Sequence, residues 1–120
     1  MPKKVLIIED SEPVGDALQL LIGFEGYDVA VARTAAEGHE KAVSEQPDLI
    51  LMDIALPDYD GAELTRRLRR LDETARIPIL CVSSYTGGRV DEIREAGCDE
   101  VFSKTKFMID FRDTIRKYIG

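Results

Sequence analysis

Three uninterrupted apolar runs punctuate the chain: Val5-Leu6-Ile7-Ile8, Leu49-Ile50-Leu51-Met52 and Ile79-Leu80-Cys81-Val82. A shorter one, Val101-Phe102, follows them. Runs of this length without polar alternation read as strands covered on both faces, as in parallel sheets. Between them the period changes to that of helices. Val14, Ala17, Leu18, Leu21 and Phe24 form one stripe between roughly Glu12 and Glu25, closed by Gly26. Val29-Ala30-Val31-Ala32 supplies a further strand. Thr34 and Glu37 have the spacing of a capping box, opening a second helix that stops before Pro47. Pro57 and Asp58 mark a loop, and Asp60 with Glu63 repeats the box for a third helix with Leu64, Leu68 and Leu71 on its buried stripe. Pro78 precedes the next strand, and a fourth helix begins after Thr86-Gly87-Gly88 and ends at Gly97. Phe107, Phe111, Ile115 and Ile119 recur every fourth residue, the stripe of a final helix. Five strand–helix pairs with short connections predict an α/β fold of (βα)5 type. Right-handed crossovers make it a doubly wound three-layer sandwich on a five-stranded parallel sheet. Residues 1–120 are expected to form one domain.

The chemistry lies where the apolar runs end. The first leads into Glu9-Asp10, the Leu49 run into Asp53, the Ile79 run into Ser83-Ser84, and Val101-Phe102 through Ser103 to Lys104. Parallel strands share one carboxyl edge, and ligands bind there. Three carboxylates in one cleft repel unless protons or a cation intervene. A hard divalent ion with oxygen ligands, Mg²⁺ above all, resolves the repulsion. Lys104 adds a fixed positive charge and Ser83 a hydroxyl able to hold a phosphoryl oxygen. Phosphoryl transfer needs mainly such positioning and neutralisation. The nucleophile is one of the carboxylates, because no Cys, His or activated Ser is placed for the task. Each residue alone has a plainer reading. Ser11 beside the acidic pair suits a helix cap, Asp53 a turn, Ser83 a satisfied strand-end hydroxyl, and Lys104 an exposed loop. Their joint occurrence at four strand ends favours the site.

Composition narrows the function further. The chain of 120 residues is 44% hydrophobic and 32% charged, ordinary for a globular domain. A net charge of -7 and a pI near 4.7 argue against a nucleic-acid surface. The basic cluster Arg66, Arg67, Arg69 and Arg70 reads as a solvated helix face interleaved with acids. Cys81, Cys98 and the single histidine, His39, make neither a disulfide framework nor a metal set, so free thiols in a reducing compartment are expected. Lys3-Lys4 precedes too short an apolar core for a signal peptide, and no segment approaches a membrane span. A cytoplasmic protein without a membrane partner is the expectation. No Gly-rich loop follows the first strand, which argues against nucleotide binding.

VLIIEDSEP (5–13), PDLILMDIALPDYDG (47–61), PILCVSS (78–84) and AGCDEVFSK (96–104) together resemble the receiver domain of two-component response regulators over essentially the whole chain. The resemblance implies strand order 2-1-3-4-5. It implies that Asp53 accepts a phosphoryl group from a phosphohistidine on a sensor histidine kinase or histidine phosphotransfer protein. Asp10, Asp53 and the backbone carbonyl of Ala55 would ligate Mg²⁺, and Glu9 would hold a metal-bound water. Ser83 would move to bond the phosphoryl group. Lys104 would pair with Asp53 before transfer and with the phosphoryl oxygen afterwards. Ser84 stands where a small residue leaves the site open to donors. The donor would dock near the first helix and the loop after Lys104. A downstream protein would read the fourth helix, last strand and last helix, unless the group is relayed onward.

Two positions depart from the family pattern. Thr105 follows Lys104 where the family has a Pro that is commonly cis, which predicts a trans bond and a reshaped loop after the last strand. Val101 replaces the aromatic residue three positions before the lysine, and Phe102 beside it faces the opposite side of the strand. Tyr85 is a candidate to signal in its place and, with Ala55, to tune the access of water. Two rival functions remain: a degenerate receiver that binds partners without phosphorylation, and a Mg²⁺-dependent phosphohydrolase. The second usually carries an acid two residues after the nucleophile, where this chain has Ala55. The expectation is therefore a phosphoacceptor switch and not an enzyme.

Overall fold

A computed structural model of the protein describes residues 2–84 and 88–120. Five strands, β1 (Lys4–Ile8), β2 (Asp28–Ala32), β3 (Leu49–Met52), β4 (Ile79–Ser83) and β5 (Glu100–Ser103), alternate with five helices. The helices are α1 (Glu12–Phe24), α2 (Ala35–Glu45), α3 (Gly61–Arg69), α4 (Val90–Ala96) and α5 (Lys104–Ile119). The strands form one parallel sheet in the order β2-β1-β3-β4-β5. Ile7 pairs with Val31 on one side and Leu51 on the other, so β1 is an interior strand beside the central β3, and the last residues of the two meet.

Alternation along the strands divides the core into two layers. Val5, Ile7, Leu49, Leu51, Leu80 and Val82 pack against Leu18 and Ile22 of α1 and Phe107, Phe111 and Ile115 of α5. Leu6, Ile8, Ile50, Met52, Ile79 and Cys81 face the other way, onto α2, α3 and α4. Burying side chains of this size contributes about 1.5–3 kcal/mol each, so the sheet is the most stable frame on which a site can stand. Val101 and Phe102 fall into opposite layers as expected. Phe102 meets Phe107 edge-on, with centroids 5.9 Å apart.

The helix ends follow the sequence signals with two differences. Thr34 Oγ1 accepts from Glu37 N at 3.0 Å and Asp60 Oδ1 from Ala62 N at 2.7 Å, so both caps form. The glutamates of the expected boxes turn outward, Glu37 to Lys41 and Glu63 to Arg66 and Arg67, where ion pairing competes with the reciprocal bond. α2 ends on Gln46, left-handed at φ 48°, and the Gln46 amide donates to the otherwise open carbonyls of Ala42 and Val43.

The larger difference follows β5. No cis peptide occurs among the described residues, so Lys104–Thr105 is trans as expected. A reshaped loop was expected here as well, and instead α5 begins at Lys104 itself. Ser103 caps it by accepting from Lys106 N at 3.1 Å, and this local cap carries the chain straight from strand into helix.

The arginine cluster is only partly a solvated face. Arg66 and Arg67 pair with acids, and Arg67 also lies 4.2 Å over the Tyr59 ring. Arg69 is half-buried and donates to the carbonyls of Gly97, Ala75 and Ile77 and to Asp99. Arg69 thus ties the end of α3 to the turn before β5, and those carbonyls explain a charge that helical periodicity alone placed in solvent. Both cysteines are free and buried.

Candidate functional site

The site begins where the sheet runs out of strand but not of ladder. Glu9 N donates to Ala32 O at 2.9 Å and Asp53 N to Ile8 O at 3.0 Å, so both residues sit one step past regular pairing with fixed backbones. Glu9 and Asp53 are buried, whereas Asp10 is exposed at the mouth. One carboxylate oxygen from each of the three lies within 4.8 Å of the others. Ser83 is buried at the end of β4. Lys104 enters from the first turn of α5. Glu9, Asp10, Asp53, Ala55, Ser83 and Lys104 line one open cleft of about 370 Å³ together with Ser11 and Ser84. All six candidate site residues are therefore brought together.

The hydrogen bonds inside the cleft define its electrostatics. Glu9 Oε2 accepts from Ser11 N at 3.1 Å, and its Oε1 lies 2.7 Å from Lys104 Nζ. Asp53 Oδ1 accepts from Ala55 N at 3.3 Å, and Asp53 Oδ2 is 3.6 Å from the same ammonium. The family resemblance implied a Lys104–Asp53 pair, which forms at 3.6 Å, and the shorter contact of Lys104 is with Glu9. Burial alone would lower the Lys104 pKa, but the contacts to Glu9 and Asp53 outweigh it and hold the ammonium above its usual value. Three carboxylates against one ammonium leave two formal negative charges uncompensated. An oxygen-rich set with that deficit fits a hard divalent cation, which requires such donors.

The loop that carries Asp53 is held at both ends. Ile54 O accepts from Leu56 N at 3.0 Å and from Gly61 N at 2.9 Å, closing the segment on itself. A Cβ on Gly61 would stand 2.2 Å from Asp53 O, so α3 starts in contact with the backbone of the site. Arg89 bonds Asp60 through two nitrogens, at 2.7 and 3.2 Å, tying the start of α4 to the cap of α3. Gly61 and Arg89 carried no chemical signal in the sequence, and Asp58, whose carboxylate bonds α2, read only as a loop residue. Their roles follow from which elements the sheet order makes neighbours. Tyr85, a candidate signalling residue, lies outside the described residues, as do Thr86 and Gly87.

Comparison with known proteins decides the family. The profile of the "Response regulator receiver domain" matches residues 5–116. The chain belongs to this receiver family. Among curated relatives of this receiver, the polar-differentiation response regulator DivK of Brucella anthropi is 38% identical over 100% of this chain and 98% of its own. DivK of Brucella ovis is 36% identical with the same coverage. A CheY-like receiver domain protein from Methanospirillum hungatei JF-1 superposes with a TM-score of 0.86 at 28% identity, covering 98% of this chain and 97% of that one. The BeF3-activated N-terminal receiver domain of Klebsiella pneumoniae RstA gives 0.86 at 28%, covering 97% of each chain. In fold alone, the receiver domain of the Pseudomonas aeruginosa PAO1 histidine kinase PA1611, described with a magnesium ion in its active-site cleft, gives 0.91 at 23% identity, covering 100% of this chain and 99% of that one.

As a receiver, this chain is a signalling domain of the two-component type, and its acidic cluster is compatible with a Mg²⁺ site and aspartate phosphorylation. Receivers work in general with histidine kinases and downstream targets. Among the described residues, no helix is long and apolar enough to cross a membrane.

Proposed function

We propose that this receiver, acting as one unit over residues 1–120 in the cytoplasm, takes a phosphoryl group from a protein phosphohistidine onto Asp53 and is read by a partner protein. The observation that carries this reading is the convergence of Glu9, Asp10 and Asp53 within 4.8 Å beside Lys104, in a cleft open to solvent. Asp10, Asp53 and the Ala55 carbonyl are the proposed Mg²⁺ ligands, with Glu9 holding a water of the ion. When bound, Mg²⁺ supplies neutralisation of the charge that builds on the phosphoryl oxygens.

The chain's own groups do the rest. An Asp53 carboxylate oxygen attacks phosphorus as the P–N bond to the donor imidazole breaks, and the imidazole leaves with the electron pair. The Ala55 N–H steadies the Asp53 carboxylate against rotation. Lys104 moves its contacts from Glu9 and Asp53 to a phosphoryl oxygen, and Ser83 turns its hydroxyl towards another.

The donor has a surface beside the cleft. An apolar groove of about 250 Å³, lined by Pro13, Val14, Ala17, Leu18, Val82 and Met108, shares Lys104 with the site. A helix of the donor laid there would present its phosphohistidine at the cleft mouth. The proposed reading face is α4, β5 and α5, and the position of β5 at the sheet edge supports it. Phosphorylation then acts as a two-state switch, not as turnover of a substrate.

The test is transfer from a radiolabelled phosphohistidine phosphotransfer protein. Label should move to the wild type in the presence of Mg²⁺ and stay on the donor when the acceptor is Asp53→Asn. Equal labelling of the two would refute Asp53 as acceptor.

A further inference from the structure

We propose that Asp58 is a positioning residue for the metal site: it clamps the tip of the β3–α3 loop to the amino end of α2 and so holds Ala55 beside the carboxylates. This rests on the Mg²⁺ reading above and adds to it a residue from outside the cleft.

Asp58 lies three residues after Ala55, in the segment between β3 and α3. Its Oδ1 accepts from Ala35 N and its Oδ2 from Ala36 N, each at 2.8 Å. These are the first two amides of α2. The next, Glu37 N, is satisfied from the helix's own side by Thr34 Oγ1 at 3.0 Å, and Gly38 N makes the first regular helical bond, to Thr34 O at 3.0 Å. All three open donors that follow the cap residue are thereby used, two of them by a residue more than twenty positions away. A carboxylate on a helix amino terminus also meets the positive end of the helix dipole. Burial alone would raise the Asp58 pKa, but the N–H groups of Ala36, Ala35 and Tyr59 outweigh it and keep the carboxylate ionised.

The geometry gives the clamp a consequence beyond stability. The loop is closed near its base, where Ile54 O takes both Leu56 N and Gly61 N. Ala55 stands inside that closure with its N–H on Asp53. Its carbonyl shares a peptide unit with Leu56 N, which is held on Ile54 O, and the Asp58 clamp holds the loop beyond it. α2 in turn packs so closely on β1 that a Cβ on Gly38 would lie 2.6 Å from Ile8 Cδ1. The anchor is therefore part of the same rigid layer that carries Glu9. Loosening Asp58 frees the loop relative to the sheet and misplaces a neutral oxygen ligand.

A purely structural role and a positioning role are separable, because α2 has two caps of different reach. Thr34→Ala weakens α2 from its own side and leaves the loop anchored. Asp58→Ala removes the anchor, and Asp58→Asn keeps one acceptor and loses the charge. Mg²⁺ affinity is read by calorimetry, and the Ala55 carbonyl by its ¹³C shift on titration with Mg²⁺. Asp58→Ala is expected to weaken Mg²⁺ binding about tenfold, the usual scale for residues that orient ligands, and to diminish the Ala55 shift. Asp58→Asn should fall between it and wild type, and Thr34→Ala should match wild type. Unchanged affinity in Asp58→Ala, or equal losses in Asp58→Ala and Thr34→Ala, would overturn the assignment. Absence of Mg²⁺ binding by the wild type would overturn the metal reading and this assignment with it, an outcome distinct from the other two.

Discussion

Lys104 Nζ lies 2.7 Å from Glu9 Oε1, nearly an ångström closer than it comes to Asp53 Oδ2 at 3.6 Å. The lysine sits at the first position of α5 and spans the cleft to the end of β1. It therefore occupies the carboxylate that is proposed to hold a water of the metal. On the proposed Mg²⁺ reading, ammonium and divalent cation compete for one acidic pocket. Lys104→Met should bind Mg²⁺ more tightly, by roughly fivefold at low ionic strength given the scale of charge–charge energies at this separation. The same variant should accept phosphate more slowly. Calorimetric titration at two salt concentrations checks the first part, and weaker binding by Lys104→Met would contradict the competition.

Gly61 marks how closely α3 is set against the site. Its place in the helix calls for no unusual backbone, but a methyl there would meet Asp53 O at 2.2 Å and Ile54 Cα at 2.9 Å. Both neighbours are main chain and have little room to give. Gly61→Ala should cost about 1–3 kcal/mol, the usual range for overpacking, and should displace Asp53. Urea unfolding measures the loss. A variant as stable as wild type would show that the loop yields freely.

Much of this was legible in the chain. The apolar runs of β1, β3 and β4 and the Phe107, Phe111 and Ile115 stripe are buried as their periods require. The chemical residues at the strand ends meet because parallel strands leave them no other edge. What could not be read are contacts between segments distant in sequence. Arg69 looked solvated until the α3–β4 and α4–β5 turns supplied carbonyls around it. Asp58 looked like turn chemistry, since nothing local shows that α2 starts beside it. A reshaped loop was expected after Lys104, because Thr105 stands where the family has Pro, and the Ser103 hydroxyl that caps α5 directly was not read as a cap.

The Asp60–Arg89 pair should appear in the acid stability of the fold. Burial alone would raise the Asp60 pKa, but the Arg89 bonds, the Ala62 N–H and the charge of Arg66 together bring it below the ordinary carboxylate value. A folded pKa below the unfolded one contributes stability that is fully present above about pH 3.9. That stability is lost as pH falls through the lower, folded value. With both side chains over a third exposed, the contribution is about 1 kcal/mol or less. Asp60→Asn should therefore flatten the acid limb of the stability curve while retaining a capping oxygen. Denaturant melts between pH 3 and pH 6 (a range chosen to bracket about pH 3.9) would test this, and an unaltered acid limb would contradict it.

The thiols should be silent. Burial above all, with the neighbouring Cys98 and Asp53 adding to it, pushes the Cys81 thiol up to about 12. Burial raises Cys98 as well, against an opposing contact from Thr65. Thiolate is the reactive form, so iodoacetamide at neutral pH should label neither residue until the protein unfolds. Mass spectrometry of native and urea-treated samples distinguishes the cases, and prompt native labelling would contradict the burial of the cysteine labelled.

The central claim is that Asp53 carries the phosphoryl group, and reduction followed by peptide mapping tests it most directly. The protein is incubated with Mg²⁺ and its phosphohistidine donor, then treated with borohydride, which converts an acyl phosphate to an alcohol. The predicted result is homoserine at position 53, dependent on donor and Mg²⁺ and absent from Asp53→Asn. Reduction at Glu9 or Asp10 instead, or a phosphoryl group that survives in Asp53→Asn, would contradict the account.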